Sequence, residues 1–370
     1  MVRIFFLFTL SFLVYVLSAP IISDTPEIAF VREIETHLPL ATTSPIATTS
    51  AIVEETAEVV APVVEKLVAP EPEPEAPQPA GRPDPYPFPQ KTFAVLNTEA
   101  REALVNIICS PEGGRMDPIS GSGVLIDPRG VILTNSHVAQ FILLASRKEI
   151  NLSCVVRTGS PARGSWTVNI LYMPTAWIDQ HAQDIQKTHP LGTGEHDYTF
   201  LVITGAKDGA SLPSSFPFLS LETRSIHVPG DTIFLAAYPA EFSGGSEIQN
   251  LLYASTTVTT IKQLMTFSKS TIDVIAIGGV VLAQSGSSGG SALNAWGRLI
   301  GLISTTSGGD TTAERNLRAI SIPYINRALQ ESNGTNIEEL LSGDVAAKAL
   351  FFMQEKSPAL AERLISYIKK

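Results

Sequence analysis

From Phe93 to Pro323 the apolar residues come in short runs, four to eight residues long, broken by Gly, Pro, Asn and Asp. The runs are Leu104–Cys109, Gly123–Ile126, Val131–Thr134, Ile150–Val156, Trp166–Leu171, Tyr198–Ile203, Asp231–Ala237, Leu251–Val258, Thr271–Ile277, Val280–Ala283 and Leu299–Ser304. Many short strands at close spacing, with few helical periods among them, predict a sandwich or a pair of barrels rather than a parallel sheet alternating with helices. Val138–Lys148 is the exception and reads as a helix. After Pro323 the pattern turns helical: Tyr324–Glu331, Ile337–Leu341, Val345–Lys356 and Pro358–Lys370 carry apolar residues at helical spacing. The last of these places Leu360, Leu364 and Ile368 on one face, which is expected to pack onto the preceding domain.

The region before Phe93 has a different texture. Ile4–Ile22 holds 19 uncharged residues after Arg3, a length that as a helix spans about 28 Å, close to one bilayer core. It reads as an uncleaved signal anchor with its N-terminus inside, or as a cleaved signal peptide ending near Ser18-Ala19; in both cases the remainder of the chain is exported. From Ser23 to about Gln90 the chain is rich in Thr, Ser and Ala and then in Pro and Glu, and 13 of the 26 prolines lie here. Such a segment buries too little apolar surface to offset its ordering entropy, so a disordered stalk is expected, with a short helix at Val59–Val68. The boundaries that result are 1–22 for the membrane or signal segment, 23–92 for the linker, 93–331 for the folded domain and 332–370 for a helical extension.

Charge sharpens this division. Twelve acidic residues face four basic ones between Ser23 and Lys91, which accounts for −8 of the net −10, so the rest is nearly neutral. No basic stripe occurs, which argues against a nucleic-acid partner. The two cysteines, Cys109 and Cys154, read either as a disulfide in an oxidising compartment or as two small buried hydrophobes.

Three islands carry candidate chemistry. The first runs Gly121-Ser-Gly-Val-Leu-Ile to Thr134-Asn-Ser-His137; the second is His196-Asp197-Tyr-Thr-Phe-Leu-Val-Ile; the third is Gln284-Ser-Gly286-Ser-Ser288-Gly289-Gly290-Ser-Ala-Leu before Gly297-Arg-Leu-Ile-Gly. The third has the composition of a flexible linker, yet it sits between apolar runs and must be a tight turn inside the fold. A serine hydroxyl is too weak an acid to attack unaided. His137 is therefore expected to take the Ser288 proton and return it to the leaving amine, with Asp197 fixing the imidazole tautomer. The amides of Gly286 and Ser288 are expected to face a developing oxyanion.

With His, Asp and Ser in that order, 60 and 91 residues apart, a Thr-Asn-Ser-His strand end and Gly-x-Ser-Gly-Gly, the chain resembles the trypsin-like serine proteases and, within them, the bacterial HtrA (Deg) family, from about Phe93 to Leu329. The resemblance implies an all-β fold of two perpendicular barrels with the catalytic groups in the cleft between them. Departures are Gln284-Ser-Gly-Ser before the nucleophile, Ser291 where a proline is usual, a longer 159–195 connection, and no stretch after Pro323 long enough for a PDZ domain, so regulation through such a domain is expected to be absent. By the same resemblance, Leu282 lies at the first specificity pocket and Ser304, Thr305 and Thr306 on the substrate-pairing strand, which implies a preference for small or medium apolar side chains. Family members often form trimers through N-terminal aromatics; Tyr86, Phe88 and Phe93 would serve, or would cover the domain's own surface.

The function expected is an envelope-anchored, extracytoplasmic endopeptidase, or a secreted one if the signal is cleaved, acting on unfolded or exported polypeptides without a cofactor. The alternative is an inactive double-barrel module that binds peptides. His181, His189 and His196 lack a register suited to metal chelation, and no metal is expected.

Overall fold

The computed structural model describes residues 83–111, 118–187, 192–268, 270–306 and 309–368. All belong to the unit Pro79–Lys370, one of two into which the chain divides. Ile4–Ile22, the linker to residue 82, the helix expected at Val59–Val68 and His189 lie outside the described residues. Among the described residues no helix is long and apolar enough to cross a membrane.

Six antiparallel strands close a barrel in the order β1-β2-β3-β6-β5-β4: β1 (Leu104–Pro111), β2 (Ile119–Asp127), β3 (Val131–Thr134), β4 (Leu152–Thr158), β5 (Arg163–Tyr172) and β6 (Thr199–Ala206). Seven more form an antiparallel sheet in the order β8-β7-β11-β12-β13-β10-β9: β7 (Thr232–Ala237), β8 (Ser255–Thr260), β9 (Gln263–Met265), β10 (Val274–Gly278), β11 (Ser291–Asn294), β12 (Leu299–Thr306) and β13 (Leu317–Ser321). Only Ile261 and Lys262 separate its edge strands β8 and β9. Three Cα–Cα steps reach at most about 11 Å, so the sheet curls back on itself without closing its ladder. The expected pair of barrels is thus one closed barrel and one curled sheet.

Eight helices decorate the sheets among the described residues: α1 (Phe93–Ala103), α2 (Ser136–Ala145), α3 (Thr175–His181), α4 (Gly245–Asn250), α5 (Ile322–Asn333), α6 (Ile337–Leu341), α7 (Val345–Glu355) and α8 (Ser357–Ile368). Helix α1 was not legible as a helix. Its start is marked by Thr92, whose Oγ1 accepts from the Val95 amide at 3.4 Å, and it buries Leu96, Ala100 and Ala103. Helix α7 packs on β5 and β6, and α8 packs on α2 and α3. The buried face of α8 is Leu360, Ala361, Leu364 and Ile365; Ile368, expected on that face, is 37% exposed. Basic side chains satisfy the carbonyls that end α6: Arg129, in the β2–β3 turn, donates to Leu341 and Gly343, while Lys348 donates to Glu339, Leu340 and Ser342.

The run Val280–Ala283 is a turn, not the strand its composition predicts. The Ala283 amide donates to Val280 O at 2.8 Å, and Leu282 and Ala283 are apolar because they fill the core of the curled sheet.

Cys109 and Cys154 face each other across β1 and β4 with Cα atoms 4.0 Å apart and are joined as a disulfide. The barrel also grips the curled sheet directly. Arg157, buried on β4, places its guanidinium on Asn106 Oδ1 at 2.7 and 2.9 Å and on the Ile248 carbonyl of α4 at 2.7 Å. Tyr238 after β7 donates to Gly159 O at 2.6 Å.

Residues 83–92, expected within the linker, lie against the domain. Tyr86 is buried, donates to Glu222 and accepts from Asn294 Nδ2 at 2.9 Å, with Arg224 and Arg298 each 5.1 Å above its ring. Burial pushes the Glu222 carboxyl up, but hydrogen bonds from Arg224 and Tyr86 outweigh it and bring its pKa to about 2. Tyr86 therefore covers its own domain, whereas Phe88 and Phe93 are 38% and 58% exposed.

Candidate active site

His137 sits in the first turn of α2, just past β3, and three contacts place it. The Asn135 amide side chain donates to Asp197 O at 2.8 Å, Ser136 Oγ donates to Tyr198 O at 2.8 Å, and Gln140 Nε2 donates to His137 O at 2.8 Å. Asp197 occupies a tight turn ahead of β6. That turn needs His196 at φ +58°, and its His196 amide donates to the Tyr324 hydroxyl of α5 at 3.0 Å.

The two side chains meet with both carboxylate oxygens engaged. His137 Nδ1 is 2.8 Å from Asp197 Oδ2, and the His137 amide donates to Oδ1 at 3.0 Å. Ser304 Oγ adds a third donor, to Oδ2 at 3.1 Å. Asp197 is 3% exposed. Burial alone would raise its pKa, but the His137 charge and these hydrogen bonds prevail and hold it below the ordinary 3.8. For His137 burial acts downward, and the Asp197 charge and hydrogen bond outweigh it, so its pKa lies above 6.5.

Ser288 lies in the loop between β10 and β11 and is partly exposed. Its position is set by neighbours that touch the barrel. The Ser122 amide of β2 donates to Ser288 O at 2.7 Å, and the Ser122 hydroxyl donates to Gly286 O at 2.8 Å while accepting from the Tyr238 amide at 2.9 Å. Gly289 is pressed onto the same strand: a Cβ there would stand 1.9 Å from Ser122 O and 2.6 Å from Thr134 Oγ1, and its φ of +86° suits only glycine. The Gly289 amide donates to Ile303 O at 2.8 Å, one residue from Ser304 and so from Asp197.

Two turns shape this loop. The Ser287 amide donates to Gln284 O at 3.2 Å and the Gly290 amide to Ser287 O at 3.0 Å. Among the described residues no acceptor meets the amides of Gly286 and Ser288, although their neighbours at 285, 287, 289 and 290 are all bonded. In a trans peptide the carbonyl of one residue and the amide of the next point oppositely. Ser285 O is held by the Ala240 amide at 2.8 Å and Ser287 O by Gly290, which turns the Gly286 and Ser288 amides the other way.

The family model for the trypsin-like peptidase domain matches residues 121–302, which include all three islands. This stretch is similar to a trypsin-like peptidase domain. The closed barrel and the curled sheet fit the double-barrel architecture of that family. A solved structure entitled "Crystal structure of Deg5" aligns at 18% identity over 65% of this chain and 95% of that chain, with a TM-score of 0.42. A comparison with curated proteins returns no match.

The residues expected to contact substrate fall unevenly in the domain. Leu282 has no accessible surface and belongs to the core of the curled sheet, so the expectation that it lines a pocket is corrected. Ser304, expected on the substrate-pairing strand, lies on β12 and turns its hydroxyl to Asp197. Thr305 and Thr306 lie at the end of β12, where pairing with β13 is irregular between Ile303 and Thr306; their side chains lie outside what is described. On its other side β12 pairs with β11 only as far as Leu302. His181 pairs with Asp184 at 3.3 Å, away from any group of three metal-binding side chains among the described residues. Ser122, Thr134, Asn135 and Ser136 are supporting residues to which spacing alone assigns no role, although each stands in the first of the three islands.

Proposed function

We propose that the peptidase domain is a serine endopeptidase in which Ser288 attacks the scissile carbonyl, His137 accepts its proton and later protonates the leaving amine, and Asp197 holds the imidazole with Nε2 free. The observation that carries this reading is the Nδ1–Oδ2 contact of 2.8 Å combined with two unbonded amides that flank Ser287 in the loop of Ser288. Nδ1 bonded to a carboxylate leaves Nε2 as the basic atom. Two amides without an intramolecular acceptor supply donors for the oxyanion of the tetrahedral intermediate. The segment after Ile303 on β12, beyond its bonds to Gly289 and Gly290, suits an extended substrate that adds as a strand.

The reading extends to HtrA-like turnover of unfolded or exported polypeptides, outside the cytoplasm, by a domain tethered through the 23–82 segment to a membrane anchor at Ile4–Ile22. A disulfide in the barrel supports an oxidising compartment. Phe88 and Phe93 are the aromatics left exposed for a trimer contact. The test is fluorophosphonate labelling of the full chain beside Ser288→Ala and His137→Ala, together with turnover of a denatured protein. Labelling and cleavage by the parent alone are expected; a folded parent that binds denatured protein without labelling or cleaving it makes this a peptide-binding module instead.

A further inference from the structure

Glu241, in the loop between β7 and α4, and Arg315, in the loop between β12 and β13, form a bidentate pair: Arg315 Nη1 lies 2.5 Å from Glu241 Oε2 and Nη2 lies 2.7 Å from Oε1. Both are mostly shielded, with side chains 25% and 15% exposed. An exposed pair of this kind would contribute little to stability. Its partners point to another role. Glu241 Oε2 also accepts the Ser285 amide at 3.1 Å, and Arg315 Nη1 also donates to Ala283 O at 2.9 Å. The next residue back, Ala240, donates its amide to Ser285 O at 2.8 Å. Arg315 is itself fixed by its Nε, which donates to Gly309 O at 3.1 Å.

Residues 283 and 285 are therefore held from three sides, immediately ahead of Gly286. A peptide plane has one soft rotation that matters here: if the 285–286 plane flips, Ser285 O swings into the position of the Gly286 amide, and one oxyanion donor becomes an acceptor. Ala240 bonds that plane directly. The Glu241–Arg315 pair fixes the plane before it and the loop that carries Ala240.

We infer that Glu241 and Arg315 are positioning residues that hold the 283–286 segment in the orientation that presents the Gly286 amide to the oxyanion. This rests on the serine-peptidase reading above. The pair touches neither His137 nor Asp197, so its loss should weaken transition-state stabilisation while leaving the base as it is. Position, not attraction, is its contribution, since Ser285 and Ala283 offer only backbone groups.

The experiment compares the full-length parent with Glu241→Ala, Glu241→Gln and Arg315→Ala. It measures kcat and KM on a chromogenic peptide, the inhibition constant of a peptide boronate, which forms the tetrahedral adduct, and the pH midpoint of kcat/KM. Removing a whole oxyanion donor costs about 10²–10³-fold. Loss of its support is expected to lower kcat by about 10–100-fold and weaken the boronate in parallel, with KM within about threefold and the pH midpoint unmoved. Glu241→Gln keeps an acceptor for Ser285 without the charge for Arg315 and should fall between parent and Glu241→Ala. Variants with parental kcat and boronate affinity overturn the inference while the peptidase reading stands. Equal losses in KM and thermal stability with no selective boronate effect overturn it as well, by reducing the pair to a structural one. A folded parent without activity removes both readings.

Discussion

The amide of Ser122 donates to the carbonyl of Ser288 at 2.7 Å, so a barrel strand and the loop of the proposed nucleophile are one hydrogen-bonded unit. The Ser122 hydroxyl extends the unit to Gly286 and Tyr238. Replacing Ser122 by Ala removes the hydroxyl from a fully buried site and strands the Tyr238 amide and Gly286 carbonyl. A stability loss of about 1–3 kcal/mol is expected in urea unfolding, with kcat reduced more than KM. A fall in stability without any in kcat would detach Ser122 from the site.

Gly289 is constrained more severely. Alanine there would put a Cβ 1.9 Å from Ser122 O at a φ of +86°, so Gly289→Ala should abolish turnover and lower the melting temperature. Calorimetry and a peptide assay check both; retained activity would show that the loop has room the structure denies it.

Asp197 governs the ionisation of His137. In Asp197→Asn burial acts on the imidazole without an opposing charge, so the midpoint of the kcat/KM profile should move down from its raised position, and kcat should fall by about 10³–10⁴-fold through the wrong tautomer. An unmoved midpoint would assign the titration to another group.

The same pair sets a pH dependence in the unmodified chain. The proposed mechanism needs neutral His137, so activity should rise as pH climbs through its raised pKa. Stability runs the other way on that limb: the His137 contribution is fully present below the unfolded value of about 6.5 and is lost as pH rises through the folded one. The Asp197 contribution is present above the ordinary 3.8 and is lost as pH falls through its lowered folded value. Urea midpoints across pH 3–9 should therefore peak below the pH at which activity plateaus.

Reduction of Cys109–Cys154 opens a 45-residue separation and should cost about 2–4 kcal/mol. The bond joins β1 to β4 and not to the loop of Ser288, so the reduced protein, while folded, should retain labelling by fluorophosphonate. Loss of labelling at a temperature where circular dichroism shows the fold intact would tie the bond to the site.

The sequence showed most where one physical signal dominated. Val131–Thr134 and Ile337–Leu341 were read at their observed limits because each is an apolar run bounded by turn or cap residues. Val280–Ala283 misled because burial in a turn and burial in a strand leave the same composition. β9, β11 and β13 went unread: Gln263–Met265 and Ser291–Asn294 are too short for alternation to show, and Leu317–Ser321 is defined by the partners on either side. His137, Asp197 and Ser288 stood out because each lies in a motif with its own backbone requirement. Leu282 did not follow its assigned role, since facing a pocket depends on loop geometry that spacing does not carry.

Arg157 reaches from the barrel to the carbonyls that end α4, and no aliphatic or neutral group could meet Asn106 and those carbonyls together. Drawing the barrel away from α4 would take the Ile248 and Gln249 carbonyls from that guanidinium and leave it Asn106 alone. The barrel and the element that follows β7 are therefore held at a set separation.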